Sequence, residues 1–117
     1  MKKKIVFIMN PISGTSSKAA VPSLIDSTLD KEQFEYEIKM TERPEHASEL
    51  AAEARDNHAD IVVAVGGDGT VNEVARSLVH SDSALGILPC GSGNGLARHL
   101  LLPMNLKKSI EIINAYE

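Results

Sequence analysis

The chain has 117 residues, 43% of them hydrophobic and only 3% aromatic, with no tryptophan and a formal net charge of −4. That length fits one domain with a modest core of Ile, Val, Leu and Ala. The negative balance and the scarcity of stacking side chains argue against nucleic acid as the main partner.

A lone cysteine, Cys90, excludes an internal disulfide and points to a reducing cytoplasm. The basic start (Met1, Lys2, Lys3, Lys4) leads into an apolar run too short for a signal peptide or a membrane span. Residues 4–9 read as a buried strand that stops at the turn cluster Asn10, Pro11, Ile12, Ser13, Gly14. Ser16 or Ser17 is placed to cap a helix with Val21, Leu24, Ile25 and Leu29 at helical spacing, provided Pro22 lies in its first turn. Phe34, Tyr36, Ile38 and Met40 then alternate with Glu35, Glu37 and Lys39, the pattern of a half-buried outer strand. Thr41 ends it, and Pro44 opens a helix with Ala47, Leu50, Ala51 and Ala54 on one side.

Residues 61–65 form a wholly apolar run, followed by a helix expected over about 71–79 with Val71, Val74, Ala75, Leu78 and Val79 facing inward. A short strand over 85–88 ends at Pro89, Cys90 and a glycine-rich stretch reaching Gly95. A helix over 96–102 stops at Pro103, and Leu106, Ile110 and Ile113 make the inner stripe of a last one. Strands spaced by helices of this length imply right-handed βαβ crossovers: one α/β domain over 1–117, a parallel sheet between helix layers.

Three glycine-rich turns each follow a predicted strand, and a parallel sheet puts all three on its carboxyl edge, where open α/β sheets bind ligands. The middle one, Gly66, Gly67, Asp68, Gly69, Thr70, joins the most apolar strand to a helix. Its glycines let a phosphate chain approach the main chain, and Asp68 is its only ionisable group. Asp68 reads either as a metal- or proton-handling acid or as a cap on the N–H groups of Thr70 or Val71. Glu73 reads as a phosphate-loop residue or as the partner of Thr70 in a capping box. No Gly-Lys-Ser/Thr occurs, so this is not a P-loop. Gly91, Ser92, Gly93, Asn94, Gly95 brings its third glycine one position too early for the dinucleotide fingerprint.

Other groups carry blander readings. Arg98 and His99 fit an exposed helix face, and His46, His58 and His80 have no second ligand at metal spacing. Cys90 fits a small buried filler, and the apolar residues at 100–104 fit core packing.

The run Gly66, Gly67, Asp68, Gly69, Thr70, Val71, Asn72, Glu73, Val74, taken with Pro89, Cys90, Gly91, Ser92, Gly93, Asn94, resembles the catalytic-domain signature of the diacylglycerol kinase and sphingosine kinase family, in its bacterial lipid-kinase branch. Asn10, Pro11, Ile12, Ser13, Gly14 is similar to that family's first nucleotide loop, and Thr41 falls where the family places a threonine after the second strand. The resemblance implies a three-layer Rossmann-like domain of the NAD kinase and phosphofructokinase type, binding ATP and Mg²⁺. It places Asn10, Pro11, Ser13, Gly14, Thr41, Gly66, Gly67, Gly69, Thr70, Asn72, Glu73, Gly91, Ser92, Gly93 and Asn94 around the nucleotide. Asp68 stands at the reaction centre, as acceptor-orienting acid or as anchor of the metal through water. Ser92 stands where many relatives have Thr, and Gly95 where many bacterial relatives have Asp.

Family members carry a second, β-rich domain that holds the lipid pocket, and nothing strand-rich follows here. The resemblance therefore implies the nucleotide-binding half of a kinase transferring the ATP γ-phosphate to diacylglycerol or a related lipid, inactive by itself. It implies peripheral membrane contact only in a longer form, and a face left by the partner domain through which the chain can self-associate into a homodimer. The alternatives are a non-catalytic nucleotide-binding module and an NAD kinase domain.

Overall fold

The structure, a computed structural model, describes residues 2–10, 21–89, 110, 113 and 114. Seven elements follow in chain order: β1 (Lys3–Met9), α1 (Val21–Thr28), β2 (Phe34–Met40), α2 (His46–Asp56), β3 (Ile61–Gly66), α3 (Asp68–Leu78) and β4 (Ala84–Pro89). The strands form one sheet in the order β2-β1-β3-β4, every pair parallel. β2 lies at the edge, as its charged alternate positions require.

The central strands are buried on both faces, and their side chains divide with period two. Ile5, Phe7 and Met9 of β1 and Ile61, Val63 and Val65 of β3 pack on one side with Val21, Ile25 and Leu29, and with Ile110 and Ile113. Val6, Ile8, Val62 and Ala64 pack on the other with Ala47, Ala51 and Ala54 of α2 and Val71, Val74 and Leu78 of α3. Small residues on the inner side of α2 let it approach the sheet closely. In β4, Gly86 makes room for its register partner in β3, since a Cβ there would lie 3.0 Å from Val63 Cγ2. The α/β/α layering expected from the sequence is what the chain adopts.

Topology follows from handedness. The step from β1 to β2 runs outward in one direction, and the steps to β3 and β4 run in the other. Right-handed crossovers therefore put α1 on one face and α2 and α3 on the opposite face. The direction reverses between β1 and β3, so their carboxyl ends flank a crevice.

Several boundaries differ from the sequence expectation. α3 begins at Asp68 rather than near Val71, with Gly67 as its N-cap residue, so Gly69 and Thr70 belong to its first turn. Val79 is the C-cap of α3 and is 59% exposed, not inward-facing, because its ψ of 133° takes the chain out of the helix. α2 starts at His46 rather than at Pro44, after Glu45 takes a left-handed φ of 65°. Pro22 is the second residue of α1 as described, where its missing N–H is harmless. The expected caps Ser16 and Ser17, residue Cys90, and residues 96–102 with Arg98 and His99 lie outside the described residues.

On the α1-facing side of β2, Tyr36 meets the ring of Phe7 edge-on, with centroids 5.9 Å apart, and donates its hydroxyl to Asp26 Oδ1 at 2.9 Å. Desolvation pushes the Tyr36 phenol above its ordinary range, and the hydrogen bond to Asp26 adds to the shift. That same bond, then the Lys31 ammonium at 3.2 Å, holds the Asp26 carboxyl below the usual range. Asp26 thus adds stability that is present above about pH 4, its ordinary value, and is lost as pH falls through the lower folded one. Tyr36 adds stability that is present below about pH 10 and is lost as pH rises through the raised folded value. Urea unfolding across pH should show both losses, and Tyr36→Phe should remove the part of the alkaline loss that titrates with the phenol. An unchanged alkaline limb in the variant would refute the assignment.

Candidate functional site

The register sets the strand ends level. Met9 pairs with Met40 on one side and with Val65 on the other, and Gly66 pairs with Pro89. The residues just past these ends therefore line up along the carboxyl edge. Asn10 donates its backbone N–H to Val65 O at 3.4 Å, and Thr41 donates its own to Met9 O at 2.9 Å. Each loop begins hydrogen-bonded to the neighbouring strand, so Asn10 and Thr41 are held by the sheet rather than by loop packing.

The turn after β3 is as short as it can be. Gly66 has a φ of 157°, and a Cβ there would press on buried Thr70, 3.1 Å from Oγ1 and 3.3 Å from Cβ. Gly67 follows in an extended conformation, and α3 starts at once. The Val71 N–H donates to Gly67 O at 3.1 Å, which opens the helical ladder. The N–H groups of Asp68, Gly69 and Thr70 precede that ladder and point along the helix axis toward the edge. An anion is favoured there by those groups and by the helix dipole.

Gly67 and Gly69 differ from Gly66 in kind. Neither has a positive φ, and among the described residues a Cβ on either would meet nothing within 4 Å. The fold asks for a glycine at 66, and among the described residues nothing fills the space beside 67 and 69.

Two capping readings are corrected here. The N-cap of α3 is Gly67, and Asp68 is the first helical residue, so Asp68 does not stand where a cap would. Thr70 is inside the helix and buried, so it cannot open a capping box with Glu73. Glu73 instead lines a cleft of about 250 Å³ together with Asn10, Thr41, Thr70, the β2–α2 connection residues Glu42, Arg43 and Pro44, and Ala47 of α2. A space of that size holds part of a nucleotide rather than all of one.

The structure thus brings Asn10, Thr41, Thr70 and Glu73 into one wall. Gly66, Gly67, Asp68 and Gly69 occupy the adjoining strand-to-helix turn outside it, and Asn72 is exposed on α3. Pro11, Ser13, Gly14, Gly91, Ser92, Gly93 and Asn94 lie outside the described residues. Glu42 and Arg43 were missed by sequence reasoning. The available signal was topological, since every β-to-α connection of a parallel sheet emerges on the same edge. Among the described residues no three acidic, His or Cys side chains converge on a metal position, and no helix is long and apolar enough to cross a membrane.

The family model that describes the diacylglycerol kinase catalytic domain matches residues 4–117. A diacylglycerol kinase of Staphylococcus saprophyticus is 34% identical over 116 residues, which cover 97% of this chain and 38% of the relative. One of Staphylococcus epidermidis is 33% identical over 116 residues, covering 97% and 36% respectively. A crystal structure of a diacylglycerol kinase from Bacillus anthracis superposes with a TM-score of 0.77 at 24% identity, over 97% of this chain and 42% of that one, and shows the fold in common. The chain spans well under half the length of the relatives it matches.

Proposed function

Since the chain belongs to the diacylglycerol kinase catalytic-domain family, we propose that it is the nucleotide-binding half of an ATP-dependent lipid kinase. The observation that carries this reading is the convergence of three strand ends: Asn10, Thr41 and Thr70 share one cleft, beside a helix start whose glycines 67 and 69 have no described residue against them. Phosphates lie against the N–H groups at the start of α3, with Asn10 and Thr41 toward the rest of the nucleotide. The sequence resemblance assigns Pro11, Ser13, Gly14, Gly91, Ser92, Gly93 and Asn94, which lie outside the described residues, to the same nucleotide.

Phosphoryl transfer asks a protein chiefly for positioning and charge neutralisation. Mg²⁺, when bound, neutralises charge on the phosphate oxygens, and it commonly takes only one or two carboxylates from the protein. The described residues fit that pattern, since Asp68 offers one carboxylate at the edge where no cage of acids exists. Asp68 either anchors that ion through water or accepts the proton of the attacking lipid hydroxyl. Lipid acceptance and peripheral membrane contact are assigned to a longer form, and a homodimer of this chain to the face that a partner domain would cover.

Calorimetric titration with ATP and Mg²⁺ is expected to show binding by this chain, with negligible transfer of labelled phosphate to diacylglycerol. A longer form is expected to transfer it. Failure to bind ATP would sink the proposal. Binding without transfer by any longer form would leave a nucleotide-binding module, and transfer to NAD would make it an NAD kinase.

A further inference from the structure

A triphosphate is a polyanion, yet the β3–α3 turn carries only an acid, Asp68, and no P-loop lysine exists in the chain. Among the described residues that line the cleft, Arg43 is the one cation. Its backbone is pinned on both sides. Thr41 N–H donates to Met9 O at 2.9 Å, Glu42 N–H donates to His46 Nδ1 at 2.9 Å, and His46 N–H returns to Arg43 O at 3.2 Å. A short connection held by three hydrogen bonds presents Arg43 at a fixed place on the rim.

The side chain is held far less firmly. Its guanidinium pairs through Nη2 with Glu49, in the first turn of α2. Both partners are more than half exposed, at 57% and 58%. Exposed pairs of this kind contribute little, so another anion can replace the carboxylate easily. The planar fork of Arg matches phosphate as well as it matches carboxylate, and charge-assisted bonds of that type are the strong ones.

We infer that Arg43 is the cation by which this chain grips the phosphate chain of its nucleotide, exchanging Glu49 for a phosphate oxygen when the nucleotide binds. The inference rests on the nucleotide site proposed above and adds the residue that discriminates among nucleotides by phosphate charge. Glu49 is then a competitor: it parks Arg43 at the rim and weakens binding by as much as the pair must be broken.

The test is calorimetry on this chain with ATP and with adenosine, in Mg²⁺, for wild type, Arg43→Gln, Glu49→Gln and the double variant. Arg43→Gln is expected to bind ATP about tenfold more weakly, the scale of one charge-assisted hydrogen bond, with adenosine binding unchanged. Glu49→Gln is expected to tighten ATP severalfold, a gain absent when Arg43→Gln is also present. Wild-type ATP affinity in Arg43→Gln would overturn the inference, as would equal losses for ATP and adenosine, which would mark a structural role. A wild type that binds no ATP would overturn the nucleotide site itself and this inference with it, a result distinct from the other two.

Discussion

Replacing Gly69 with alanine is expected to raise the stability of the chain and to remove its nucleotide binding. Gly69 is the second residue of α3, it has no positive φ, and a Cβ would meet none of the described residues within 4 Å. Alanine in a helix is favoured over glycine by about 0.5–1 kcal/mol. For a domain of this size each kcal/mol moves the melting temperature by about 4–8 °C. On the proposed site the side chain would project toward the phosphates, and a loss of at least about tenfold in ATP affinity follows from one displaced charge-assisted contact. Gly67→Ala should lose ATP affinity likewise but without the gain in stability, because Gly67 is the N-cap of α3, where alanine is a poorer residue than glycine. Gly66→Ala is the opposing control. Its φ of 157° and the 3.1 Å approach to Thr70 Oγ1 should cost stability first, by roughly 1–3 kcal/mol. Thermal melts and ATP titrations on the three variants separate the cases. If Gly69→Ala both stabilises the chain and binds ATP as before, the open space is not where the phosphates lie.

That division among neighbouring glycines marks how far the sequence could be read. Alternation in β2 and the unbroken apolar run of β3 were legible because period-two burial and double-sided burial leave different signatures. Thr41 was placed by the family resemblance alone, and the register of Met9 with Met40 and Val65 sets it level with Asn10. The start of α3 was not legible. Two glycines within three residues read as a turn by propensity, but burial of Val71, Val74 and Leu78 against the sheet supplies the stability that propensity lacks. Arg43 and Glu42 were invisible for another reason. A connection between elements carries no periodicity, and only its place on the carboxyl edge identifies it. Val79 failed as an inward residue because spacing alone does not show where a helix lets go.

Asp68→Asn should leave the fold intact and remove phosphoryl transfer from any form long enough to perform it. The side chain is half-buried at the first position of α3, directly behind a strand buried along its whole length. Asparagine keeps its shape and forfeits the favourable interaction of a carboxylate with the helix dipole, about 0.3–1 kcal/mol. A group acting as acid or base in the transition state is worth about 10²–10⁴ in rate, so kcat should fall by that order while the KM for ATP changes little. The response to Mg²⁺ then assigns the role. If Asp68 anchors the metal, raising Mg²⁺ should recover much of the lost rate, because the phosphates remain to hold the ion. If it accepts the proton of the lipid hydroxyl, added Mg²⁺ should recover nothing. A variant with wild-type kcat would place the chemistry elsewhere and leave the convergence of Asn10, Thr41 and Thr70 as a binding site alone, since none of those three can serve as a base at neutral pH.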